Sequence, residues 1–372
     1  MDDRETDDTL PRTLEILRRG MAEGLHIGAQ VYVARGGKTI ADIALGAGRP
    51  GVAMGTDTLM LWLSACKPVA AVAIAQLVER GHVGLDDPVT DFIPEFGAGG
   101  KEGITLRHIL THTCGFRFVE TGWPATTWAQ IIGRLCAAPL EAGWVLGKKA
   151  GYHATTSWFI LGEIVRRVDG RPYEHYVRDA IFGPLGMKDS WIGMPADRHR
   201  AYGPRLGVLV MTDKPPLRPL PPYDTEQAIT HCRPAANGQG PARELGRFYQ
   251  MLLNGGELDG VRLLSRETVS QFTTAQRVGM YDETFRHVID WGLGFLINSA
   301  KYGSPTLPYG FGPRASDRAF GHNGFQSSSA FADPEHGLVV AIVPNGTPGE
   351  AAHDRRLRAV LGAVYEDLGI VK

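Results

Sequence analysis

β-Prone runs lie at the two ends of this chain and are nearly missing from its middle, a distribution that leaves few folds open to it. Residues 29–35 and 38–43 flank Gly36-Gly37 and read as a hairpin. Three further runs, 291–297, 328–333 and 337–344, read as strands near the far end. Between them, helical segments at 106–111, 127–135 and 157–168 alternate with Gly- and Pro-rich connections. Apolar spacing predicts further helices opening at Pro11, over 64–80, over 242–254 and over 350–368. The Pro-rich stretch 214–222 lacks the donors for regular structure and reads as an extended surface loop. The expected class is therefore α/β, of the α+β kind. One antiparallel sheet is assembled from both chain ends and flanked by helices, with a mostly helical lobe inserted between them. At 372 residues the chain exceeds what one compact core usually holds. A sheet lobe of 1–85 with 234–372 and an insertion of 86–233 are expected.

Composition narrows the function. With 43% hydrophobic and 21% charged residues, the chain has ample material for a core. A net charge of −1 gives no electrostatic case for nucleic acid or an anionic membrane as partner. No run approaches the roughly 20 apolar residues of a membrane span. The acidic tip 1–8 is unlike a basic-then-apolar export signal, so a cytoplasmic location is expected. Cys66, Cys114, Cys136 and Cys232 form no CxxC pair, and reduced thiols are expected, with no metal site and no cofactor. The oligomeric state is not legible.

Ser64-Ala65-Cys66-Lys67 carries the chemistry. Ser64 and Lys67, three apart, share one helix face. Pro68 has no N–H to give and is tolerated only near a helix start. Ser64 is thereby placed at the first turn, where free N–H groups and the helix dipole favour developing negative charge. A lysine there can be pushed toward neutrality or can lower the serine pKa by its charge. A helix cap followed by a surface lysine would leave the same short pattern, so the wider context decides.

That context resembles the superfamily of class C β-lactamases, penicillin-binding proteins and family VIII esterases over nearly the whole chain. Ile104-Thr-Leu-Arg-His-Ile-Leu-Thr-His112-Thr-Cys-Gly115-Phe is similar to its "TLRHLLTHTSG" segment, and SxxK is one of its motifs. Tyr152-His-Ala-Thr-Thr-Ser-Trp-Phe-Ile-Leu-Gly162 resembles its "YSN…LLGEII" stretch, and Phe182-Gly-Pro-Leu-Gly-Met187 its "PLGM" turn. Leu252-Leu-Asn-Gly-Gly256 and Gly321-His322-Asn323-Gly324-Phe325 complete the series in the family's order.

The resemblance implies a β-lactamase-like fold and a serine acyl-enzyme catalyst with Ser64, Lys67 and Tyr152 as its catalytic set. Tyr152 would pass the serine proton to the leaving group, with Lys67 as the cation that eases its ionisation. His322-Asn323-Gly324 takes the place of the family's Lys-Thr-Gly strand and would contact substrate, and the N–H groups of Ser64 and Phe325 would form the oxyanion hole. Trp291 is expected on the pocket floor or in the core, His112 in a structural role, and Cys66 as packing.

Two departures steer the reaction. Ala154 replaces the asparagine of Tyr-x-Asn, losing the group that orients an amide, and His322 replaces a lysine that receives a carboxylate. An ester or thioester is the expected small-molecule substrate. Hydrolysis, or transfer of the acyl group to an amine or alcohol in secondary-metabolite biosynthesis, would follow; a β-lactamase, a DD-peptidase or a silent binding protein fits less well.

Overall fold

The computed structural model describes residues 9–370. The acidic tip 1–8, read above as unlike an export signal, lies outside the described residues.

The sheet is built from both ends of the chain. It contains β1 (Gly28–Arg35), β2 (Lys38–Arg49), β3 (Val52–Ala53), β4 (Leu296–Ile297), β5 (Phe320–Asn323), β6 (Ser329–Asp333) and β7 (Leu338–Pro344). Their order is β4-β5-β6-β7-β1-β2-β3, with every neighbouring pair antiparallel. Central strands β1 and β7 are almost wholly apolar because both sheet faces are covered. Val31, Val33, Leu338, Val340 and Ile342 face one core. That core is capped by helices α1 (Pro11–Ala22) and, at the C-terminal end, one spanning Glu350–Asp367. Tyr32, Ala34, Val339, Ala341 and Val343 face the other.

That second core includes helices α2 (Lys67–Glu79), α4 (Thr156–Asp169) and α5 (Ala242–Leu253), with α3 (Trp128–Ala137) packed on α4. The C-terminal helix Glu350–Asp367 is α6. α2 is apolar all round, and Val69 to Leu77 are buried without interruption, as a central helix requires.

Two expectations are revised. The run 291–297 is not one strand: only Leu296–Ile297 pairs with β5. Before it the chain turns back, with Gly292 N–H donating to Phe295 O at 2.9 Å and Gly294 at φ +82°. That left-handed backbone is open to glycine and interrupts a pattern that otherwise reads as β. The 214–222 loop is exposed for most of its length, yet Arg218–Pro219 pairs with Val210–Met211 in a three-stranded sheet with Gly346–Thr347. Tyr152 lies in the irregular segment just before α4, which begins at Thr156.

Candidate active site

Ser64 sits in a single 3-10 turn, Leu63–Cys66, that leads directly into α2, with Pro68 in the first helical turn where its missing N–H costs nothing. The turn is pinned from behind. Trp62 N–H donates to Gly238 O at 2.8 Å and its indole Nε1–H to Gly240 O at 2.9 Å. Leu63 is held at φ +50°, a sparsely populated region for a branched side chain, immediately before the nucleophile candidate.

Lys67 is fully buried. Its Nζ lies 2.8 Å from Ser64 Oγ, 2.9 Å from Ala154 O and 3.0 Å from Ala235 O. Burial, aided by the Arg233 charge, brings its pKa down to about 7, against a smaller opposing pull from Cys66. Two partners are carbonyls, which only accept. A neutral amine meets both with its two N–H groups and turns its lone pair to the Ser64 hydroxyl.

Tyr152 packs beside this pair, its ring centroid 5.2 Å from Lys67 Nζ. Burial pushes the phenol well above its ordinary range, and the Ser64 hydroxyl offsets only part of the rise. Around neutral pH the phenol therefore keeps its proton. The backbone of Tyr152 is clamped on both sides. Its N–H donates to Asp282 Oδ1 at 3.0 Å and its carbonyl accepts from Thr284 Oγ1 at 3.0 Å. Asp282 is itself held by Arg277 Nη2 at 3.0 Å in a fully buried pair.

β5 brings the third group. Gly324 follows it so closely on the Ser64 turn that a Cβ would come 2.5 Å from Trp62 O and 2.3 Å from Ser328 Oγ. His322 Nδ1 lies 2.8 Å from Asn323 O, which assigns it the proton and leaves Nε2 as a lone pair, buried and without a protein partner. Burial and the Lys67 charge bring His322 down to about 3, so the ring is neutral. The Asn323 amide donates to Tyr309 O, tethering the preceding loop. Trp291, fully buried, stacks on Tyr152 at 5.8 Å and meets His112 edge-on at 4.4 Å.

Ser64, Tyr152, Trp291, His322, Asn323 and Phe325 line one cavity of about 440 Å³ with Ala154. His112 stands behind it: its Nδ1 accepts from His153 N–H at 3.0 Å, and burial lowers its pKa strongly. Cys66 is buried under the turn, its thiol pushed up to about 11 by burial, and all four cysteines are free. Among the described residues no His, Cys, Asp and Glu cluster could hold a metal, and no helix is long and apolar enough to cross a membrane.

Sequence reasoning missed Thr284, Phe285, Leu296, Tyr309 and Glu350 in the wall, and the Arg277–Asp282 pair behind Tyr152. None has a local pattern. They are brought together from loops, from β4 and from the first residue of α6.

The sequence profile of the beta-lactamase family matches residues 15–364. The chain belongs to the beta-lactamase family. Among relatives in it, "Esterase/beta-lactamase LipL" of Mycobacterium tuberculosis is 28% identical over 358 residues, 86% of this chain and 77% of that one. A penicillin-binding protein homologue from Caulobacter crescentus has a solved structure 31% identical, with TM-score 0.78 over 97% of this chain and 98% of that chain. A family VIII carboxylesterase structure is 26% identical, with TM-score 0.80 over 96% and 97%. This beta-lactamase family member is a serine hydrolase of the beta-lactamase-like type, and its fold is the expected one.

Proposed function

We propose that the enzyme hydrolyses small-molecule carboxylic esters through an acyl-enzyme on Ser64. The observation that carries this reading is the 2.8 Å contact between Ser64 Oγ and a lysine amine whose two other partners are carbonyls. As Oγ bonds to the ester carbonyl carbon, its proton passes to the neutral Lys67. The backbone N–H groups of Ser64 and Phe325 receive the oxyanion. Collapse breaks the bond to the alkoxide, which takes a proton from the Tyr152 hydroxyl as Lys67 replenishes it. Water then repeats the sequence on the acyl group and frees Ser64.

Esters are favoured over amides on two grounds. An alkoxide leaves more readily than an amine, and Ala154 offers only its backbone, already engaged by Lys67, where an amide would need orienting. The neutral His322 provides no cation for a carboxylate-bearing antibiotic. The printed names of LipL and of the family VIII carboxylesterase agree with an ester substrate.

The test is labelling by a fluorophosphonate together with turnover of p-nitrophenyl butyrate. Both are expected in the wild type and lost in Ser64→Ala. Persistence of either in that variant would overturn the nucleophile assignment. Products formed with an added alcohol or amine separate hydrolysis from transfer: a free acid whose yield ignores the acceptor supports hydrolysis.

A further inference from the structure

The residues lining the cavity carry one formal charge, the carboxylate of Glu350, since His322 is neutral. Glu350 is the exposed first residue of α6, far in sequence from the SxxK turn. Its hydrogen-bond partners are neutral. Tyr309 Oη donates to its oxygens at 3.0 and 2.8 Å, and Gln326 Nε2 at 3.2 Å. Asp354, one turn further along α6, adds a second negative charge near Glu350, partly offset by Arg358, and its Oδ1 is buried without a partner among the described residues.

Aromatic rings connect this carboxylate to the nucleophile. Tyr152 lies 4.7 Å from Phe285, Phe285 lies 6.0 Å from Tyr309, and Tyr309 holds Glu350. Electron-rich ring faces ending at a carboxylate attract an alkylammonium group and disfavour a carboxylate. A volume of about 440 Å³ accommodates a small ester together with such a group.

We infer that the site selects esters bearing an alkylammonium group, the carbonyl at Ser64 and the cation against Phe285, Tyr309 and Glu350. This rests on the ester-hydrolase reading and goes further by naming the substrate class. The contact adds binding energy; it makes Glu350 a specificity residue and leaves the bond chemistry to Ser64.

Two isosteric pairs test it. Choline butyrate is set against 3,3-dimethylbutyl butyrate, and the p-nitrophenyl esters of 4-(trimethylammonio)butanoate and 5,5-dimethylhexanoate are set against each other. In at least one pair the wild-type kcat/KM favours the cation by about tenfold, and in Glu350→Gln that ratio falls to within about twofold of unity. The pair that responds tells whether the cation rides on the alcohol or the acyl side. Parity in both pairs, or a preference that Glu350→Gln does not alter, overturns the inference. Should Glu350→Gln fail to fold, the wild type still decides: tetramethylammonium must inhibit more strongly than 3,3-dimethylbutanol, and equal inhibition overturns it. Wild-type inactivity on p-nitrophenyl butyrate as well as on all four esters overturns the hydrolase reading instead, whereas activity on p-nitrophenyl butyrate with none on the four overturns only the inference, so the two failures are distinguishable.

Discussion

Lys67 and Lys101 are both fully buried, neither forms an ion pair among the described residues, and both are held by backbone carbonyls. Their surroundings nevertheless ask for opposite charge states. Lys101 Nζ meets three carbonyls, those of Ala98 at 2.6 Å, Cys136 at 3.0 Å and Ala138. Three acceptors use all three protons of an ammonium. Two of them, Cys136 and the C-cap Ala138, lie at the C-terminal end of α3, where the helix dipole favours a cation. Lys67 stands at the first residue of α2, the end that disfavours a cation, and its third partner is a hydroxyl that can donate. Burial lowers the pKa of both, yet only Lys67 has a partner that leaves room for the neutral amine. On the proposed reading, its third partner and its end of the helix are what set Lys67 apart as a base.

The contrast can be broken first at Lys67. Lys67→Met is expected to lower kcat on a neutral ester by about 10²–10⁴-fold, with Ser64 still present and the fold retained on circular dichroism. A loss below about threefold would end the claim that this amine is the base. Tyr152→Phe keeps the ring packing and removes the proton relay, so a loss of roughly a hundredfold in kcat with little change in KM is expected from steady-state kinetics.

The pH profile sharpens the same contrast. The neutral amine is the active form, so kcat/KM should fall about tenfold per pH unit below the Lys67 pKa of about 7 and level off above it. A profile flat from pH 5 to 8 would place the base elsewhere. Lys101→Met has the smallest expected effect on turnover, within about threefold and with the pH limb unmoved. Its effect is on stability, because three carbonyls lose their donor, at about 2–4 kcal/mol by denaturant unfolding. If Lys101→Met shifted the pH limb, the two lysines would not be separable as argued.

The sequence revealed the site in proportion to how local each piece is. Ser64, Lys67 and Pro68 lie within one turn, so spacing and proline chemistry alone placed them at a helix mouth. Helices α5 and α6 and the β1–β2 hairpin followed from period and turn residues in the same way. Tyr152 and His322 needed the family resemblance, since nothing near them marks a partner more than eighty residues away, as in the Lys67–Ala154 contact. Asp282, Arg277 and Glu350 stayed hidden because a charged residue in a loop or at a helix start reads as solvated until the fold buries it or turns it into a cavity. The 291–297 misreading has a simple cause: apolar residues alternate with glycine, and only the φ of Gly294 turns the run back on itself.

The central claim is that Lys67 is a neutral amine when it meets Ser64. The most direct measurement is a pH titration of the Lys67 ¹³Cε resonance in lysine-labelled enzyme, assigned by its loss in Lys67→Met. A midpoint near 7, with the Lys101 resonance unchanged through the neutral range, is the predicted result. A Lys67 resonance that stays in its ammonium position up to pH 9 would contradict it.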